Sequence, residues 1–173
     1  MRTRIGDETM KSTAKSMMVA ALAVLALQGG AQAASNQVRK TPYWGSISAG
    51  QARMRTGPGR NYPASWLYQR AGLPVQVVEV YPGWRKVRDP DGVEGWMIGN
   101  LVSDQRTGMV KGGVVEMHDA PNPGGKVLWR AEAGVIGRLS KCNSGWCRFD
   151  VQGRSGYLEE AQLWGVDPGE AFD

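Results

Sequence analysis

Five landmarks occur twice in this chain, in the same order and at nearly the same interval. Met54 and Pro58 return as Met117 and Pro121, 63 residues on, and Trp66 returns as Trp129 at the same interval. Gly72 returns as Gly134, and Gly83-Trp84 as Gly145-Trp146, both 62 residues on; Gly95-Trp96 returns as Gly156-Tyr157, 61 on. An interval that slips slowly while the order holds is the mark of a tandem duplication with small deletions in loops. Each unit is then about 60 residues, a size that buries a limited fraction of its surface. The 24 glycines among 173 residues imply frequent turns, hence short strands rather than long helices. The fold class predicted is all-β, two small, partly open β-barrels in tandem.

The strands can be placed within the first unit. Residues 43–48 form a first strand between Pro42 and Gly50, and residues 66–68 a short one. Residues 74–81 are rich in valine and form the longest. Their apolar side chains change parity, Val75 and Val77 against Val78 and Val80, which calls for a bulge or burial on both faces. Residues 84–88 alternate, with one mixed face. Asp89-Pro90-Asp91-Gly92 is a hairpin turn into a returning strand, and Gly99-Asn100-Leu101 closes the unit as one helical turn. The boundaries expected are 43–106 for the first barrel, 107–168 for the second and 169–173 for a tail. The junction around residues 104–108 is short, so the two units should touch.

The N-terminus has a different character. Arg2, Arg4, Lys11 and Lys15 precede an apolar run over residues 17–27 and a stretch of small residues. This is the layout of a secretory signal peptide over residues 1–33, cleaved between Ala33 and Ala34, with a polar linker over 34–42. The apolar run has 11 residues, against the roughly 20 that a membrane helix needs, so the mature chain is expected to have no membrane span. Without residues 1–33 the chain carries 17 basic and 14 acidic residues, a formal net charge of +3. That is weak for a nucleic-acid partner, and none is expected. The charge is uneven: residues 34–106 carry +5 and residues 107–173 carry −2.

The segment Arg53-Met54-Arg55-Thr56-Gly57-Pro58-Gly59-Arg60-Asn61-Tyr62-Pro63 sends an alternating strand into a rigid basic loop, with Gly57 and Gly59 free to take positive φ around Pro58. Together with Gly83-Trp84-Arg85-Lys86-Val87 and Asp91-Gly92-Val93-Glu94-Gly95-Trp96, it resembles the bacterial SH3-like domain family, whose N-V-R-S-G-P-G, G-W-x-K-V and D-G-x-x-G-W segments it matches in order. The second unit keeps Gly145-Trp146 and Gly156-Tyr157. It replaces the first loop by Glu116-Met117-His118-Asp119-Ala120-Pro121, without the glycines or arginines. The resemblance implies a small β-barrel in a secreted or envelope protein, with a cell-wall or envelope peptide as ligand, foremost a peptidoglycan stem peptide.

Cys142 and Cys147 flank Asn143-Ser144-Gly145-Trp146, read as a four-residue hairpin loop, and in an exported protein they are expected to form a structural disulfide. Two cysteines and the single His118 are too few for a metal site, and no cofactor is expected. No nucleophile signature stands out, so the chain is read as a binding protein rather than an enzyme. Seven Trp and five Tyr against two Phe favour aromatics with a polar tip, suited to half-exposed platforms. The candidate ligand residues are Arg55, Arg60, Tyr62 and Tyr81, a groove for an extended peptide or glycopeptide carrying carboxylates. The alternative partner is an envelope protein, the chain acting as a periplasmic adaptor.

Overall fold

The computed structural model describes residues 39–173. The expected signal peptide, its Ala33-Ala34 cleavage site and most of the linker lie outside the described residues. Among the described residues no helix is long and apolar enough to cross a membrane.

The first unit has strands β1 (Tyr43–Ile47), β2 (Ala52–Arg55), β3 (Ala64–Tyr68), β4 (Pro74–Tyr81), β5 (Trp84–Arg88), β6 (Glu94–Ile98) and β7 (Val102–Ser103). The second has β8 (Thr107–Val110), β9 (Val115–His118), β10 (Val127–Ala131), β11 (Ile136–Asn143), β12 (Trp146–Val151), β13 (Arg154–Glu159) and β14 (Leu163–Trp164). Sheet order is β3-β2-β6-β5-β4-β1-β7 in the first and β10-β9-β13-β12-β11-β8-β14 in the second, the same path traced twice. A single 3₁₀ turn, Gly99–Leu101 or Glu160–Gln162, precedes the last strand of each.

The parity change in β4 is a bulge. Val77 pairs with Val87 and Glu79 with Lys86, which leaves Val78 unmatched and turns Val80 back to the side of Val75 and Val77. β11 repeats it at Ser140, between Leu139 and Lys141. The core of the first barrel therefore gathers Val75, Val77, Val87, Met54, Met97 and Ile47; that of the second gathers Leu139, Phe149, Met117, Leu158, Leu163 and the two cysteines.

Two substitutions between the copies complement each other. Val75 and Val87 of the first core correspond to Gly137 and Phe149 of the second, where the phenyl ring fills the volume beside the glycine. Val80 and Arg85 face each other in β4 and β5, and Arg85 Nε donates to Tyr43 Oη at 3.2 Å. The corresponding pair is Cys142 and Cys147, joined in a disulfide, with Cα atoms 4.1 Å apart. The mixed face of β5 thus ends the first core with a hydrogen-bonded arginine, and the second ends with a covalent bond. The hairpin loop is shorter than expected: β11 runs to Asn143 and β12 starts at Trp146. Only Ser144 and Gly145 turn, with φ of 52° and 82°, which a type I′ turn requires at both positions.

The units touch. Trp44 meets Trp164 edge to face at 4.9 Å, and Trp164 Nε1 donates to Pro74 O at 3.3 Å. Met109 and Ile136 of the second barrel pack on the first core. Residues 169–173, expected as a tail, return to the barrel: the Phe172 backbone pairs with Cys142, and its ring lies under the Arg106 guanidinium at 4.3 Å. Arg106 also holds Glu170 through two hydrogen bonds of 2.6 and 2.9 Å. That ion pair anchors the segment together with the Cys142–Phe172 backbone bonds and a Lys141–Asp173 pair at 2.6 Å.

Candidate functional site

The loop between β2 and β3 is closed by its own backbone, with Thr56 N donating to Pro63 O at 3.1 Å and Tyr62 N to Gly59 O at 3.3 Å. Arg55 clamps it from the end of β2. Its Nη1 donates to Tyr62 O at 2.7 Å and to Arg60 O at 3.2 Å. The glycines are there for a different reason than expected. Neither Gly57 nor Gly59 has a positive φ. The Tyr62 ring lies on them instead: a Cβ at Gly57 would stand 2.4 Å from the ring, and one at Gly59 2.5 Å from Asn61 Oδ1. The G-P-G sequence is the bed of an aromatic ring.

Gly95 decides what lies on the outer face. A Cβ there would sit 2.4 Å from Met54 Cγ, so β6 presses directly on the core methionine. Met97 also faces in, and by alternation Trp96 faces out. Trp96 is nevertheless only 9% exposed. It lies opposite Arg55 on β2 and Lys86 on β5, and Tyr81 covers it edge-on at 6.3 Å. Trp96 is thus buried on the outer side of its strand, beneath Tyr81. Arg55 holds the backbone carbonyls of Arg60 and Tyr62, and Tyr81 packs on Trp96, the residue opposite Arg55. Tyr62 and Tyr81 are 42% and 51% exposed. Arg55 has a guanidinium nitrogen committed to the loop, while Arg60 stands exposed. Beside Trp96, Lys86 and Arg88 both reach Glu94, at 3.3 and 2.6 Å. Hydrogen bonds first from Arg88 and then from Lys86 hold the Glu94 carboxyl below its usual range.

The second copy has the same scaffold without the two exposed tyrosines. His118 stands where Arg55 stands, opposite Tyr157 as Arg55 is opposite Trp96. Its Nδ1–H donates to Gly125 O at 2.8 Å, the counterpart of the bond from Arg55 to Tyr62 O. The clamp is kept, but Gly125 and Asn143 occupy the positions of Tyr62 and Tyr81. The only imidazole of the chain is therefore a loop clamp, packed edge-on against Trp146 at 5.7 Å.

Asp89 and Asp91 belong to the hairpin turn. Asp89 Oδ1 accepts from Asp91 N and Val93 N, and its Oδ2 accepts from Tyr68 Oη at 2.7 Å. Burial, and then the bond to Asp89, raise the Tyr68 phenol well above its ordinary range. A cleft of about 630 Å³ opens between the barrels, with Trp44, Trp164, Leu163 and Pro90 among its lining. None of the four expected ligand residues lines it. Sequence reasoning missed two features. Trp96 serves as a floor, which the close-packing Gly95 beside it could have signalled. Trp66 and Leu67 stand exposed on β3.

A family model described as bacterial SH3 domain matches the sequence twice, over residues 48–104 and 111–165. A comparison with curated protein sequences returns no match. Among solved structures the chain is similar to NlpC1 from Trichomonas vaginalis, with 16% identity and a TM-score of 0.31 over 73% of this chain and 46% of that one. It is similar to NlpC2 from the same organism, with 15% identity and a TM-score of 0.32 over 73% and 49%. An NlpC/P60 family protein from Bacillus cereus shares 13% identity, with a TM-score of 0.32 over 70% and 55%. The chain spans about half the length of each.

Proposed function

We propose that this chain, which belongs to the bacterial SH3 domain family in two tandem copies, is a non-catalytic binding module of the cell envelope. It is exported, and it takes an extended peptide, foremost a peptidoglycan stem peptide, on the outer face of its first barrel. The reading rests on one observation, the difference between the copies. Both keep the loop clamp, at Arg55 and at His118, but only the first carries the exposed Tyr62 and Tyr81, the latter packed on a buried Trp96. Half-exposed tyrosines beside cationic groups suit amide planes and carboxylates. A binding role also fits the reactive side chains: the single imidazole is engaged, and both cysteines are in a disulfide.

Retention on purified sacculi tests the reading. The wild-type protein should co-sediment at low salt. Tyr81→Ala with Tyr62→Ala should release it, whereas Asn143→Ala, the equivalent change in the second copy, should not. Arg55→Ala is a poor probe, because it unfastens the loop as well as removing a charge. Absence of wild-type retention, or retention indifferent to both tyrosines, would remove the assignment.

A further inference from the structure

Eight large apolar side chains stand exposed among the described residues, and five of them lie on two strands: Trp66 and Leu67 on β3, and Val127, Leu128 and Trp129 on β10. Each of these strands is one of the two edge strands of its sheet, opposite the two-residue β7 or β14. A free edge presents unpaired backbone N–H and C=O groups, and natural proteins usually guard it with charge or cover. β3 carries neither on the strand itself. Trp66 is 57% exposed and Leu67 47%, and as consecutive strand residues they project to opposite faces. They flank the edge with apolar surface on both sides.

The sequence around β3 is basic, and the carboxylate that meets the strand, Asp89, is only 5% exposed and is bound by Tyr68 Oη at 2.7 Å. Residues 39–78 contain Arg39, Lys40, Arg53, Arg55, Arg60 and Arg70 and no Asp or Glu. Arg53 lies directly opposite Leu67, and Arg70 follows the end of the strand. Among the described residues, Arg53, Arg60 and Arg70 make no ion pair. The second barrel differs. Arg130 on β10 is paired with Glu116 at 2.9 Å, and the Arg154 guanidinium stacks over Trp129 at 5.5 Å. Position 154 corresponds to Val93 in the first copy, so Trp66 has no such cover. The duplication thus left one edge guarded and the other open.

We infer that β3 is a docking edge for an extended acidic segment of a partner protein, which adds to the sheet as a further strand. The partner's backbone pairs with the outer edge of Ala64–Tyr68. Its apolar side chains cover Trp66 and Leu67, and its carboxylates meet Arg53, opposite Leu67, and Arg70, just past the strand. This surface goes beyond the Tyr62–Tyr81 face and does not depend on it, since one concerns a sheet edge and the other a sheet face.

The test is a titration of the full chain with a labelled, end-blocked peptide of about seven residues, glutamate alternating with threonine and valine, the length of an ordinary strand. Fluorescence anisotropy reads the affinity. The account predicts binding that weakens with salt. It should be lost when alternate peptide amides are N-methylated, which blocks strand pairing without altering charge. Arg53→Glu and Trp66→Ala should each weaken it about tenfold, while Trp129→Ala leaves it unchanged. Both altered side chains are exposed, and circular dichroism confirms that the variants fold. No binding, equal affinity for the N-methylated peptide, indifference to both variants, or displacement of the peptide by oligothymidylate would overturn the inference. Tyr81→Ala leaves this titration unchanged, so its failure and the failure of sacculus binding are separate results.

Discussion

The complementary pair in the two cores gives the sharpest energetic prediction. Gly137 sits against Phe149: a Cβ there would lie 2.6 Å from Phe149 Cζ and 2.7 Å from Asp150 O. Gly137→Val therefore forces an overlap inside a core where Phe149 is fully buried, at a cost of about 3 kcal/mol. Phe149→Val removes most of a phenyl ring and leaves a void, at a cost of about 2–3 kcal/mol. The double variant installs the pair that the first barrel uses, Val75 with Val87, both fully buried. The two errors then offset each other in part, with a favourable coupling of roughly 2 kcal/mol. The rescue is incomplete because Asp150 O is a backbone atom and cannot withdraw as a side chain can. Urea unfolding followed by tryptophan fluorescence, extrapolated linearly, measures all three free energies. If the double variant lost the sum of the single losses, or if Gly137→Val alone were neutral, the reasoning about matched volumes would fail.

Three other expectations follow from the geometry. Reducing the Cys142–Cys147 bond should lower stability by about 2 kcal/mol, the chain-entropy value for so short a loop, read as a lower thermal midpoint in reductant. Tyr68→Phe strands the Oδ2 of Asp89, a residue only 5% exposed, and should cost about 1–2 kcal/mol in the same urea assay; no loss would mean that water replaces the phenol freely. Burial of Glu170 opposes its ionisation and is the largest single influence, but the hydrogen bonds from Arg106, the bond from Asp167 N and the charges of Arg106 and Arg39 together outweigh it and hold its carboxyl below the ordinary 4.5. A depressed carboxylate contributes stability that is full above its ordinary value and is lost as acid carries the pH down through the depressed one. Exchange of the paired amides of Cys142 and Phe172 should accordingly speed up on acidification below about pH 4.5, and Glu170→Gln should abolish that dependence.

The strand plan was legible because it is written in turns and alternation. Four valines of mixed parity narrowed β4 to a bulge or burial on both faces, and the duplication could be read from glycines and tryptophans whose intervals barely slip. What stayed hidden depends on atoms brought together by the closed barrel. Gly57 reads as a turn glycine, yet its lack of a side chain serves the Tyr62 ring. Trp96 reads as core because it is large and recurs, but Gly95 is what enters the core. The equivalence of Arg55 and His118 could not be seen from residue type, since the shared feature is a hydrogen bond to equivalent carbonyls, Tyr62 O and Gly125 O. The return of Phe172 to Cys142 is accompanied by the Arg106–Glu170 pair, formed across 64 residues of chain, and no local pattern announces it.

Two-dimensional ¹⁵N NMR of the full chain titrated with a soluble stem-peptide fragment tests the central assignment most directly. The account predicts shifts at the Trp96 indole N–H and at the amides of Tyr62, Arg60 and Tyr81, with the corresponding amides of Gly125 and Asn143 unmoved. Equal shifts in both barrels, or shifts that leave Trp96, Tyr62 and Tyr81 untouched, would contradict it.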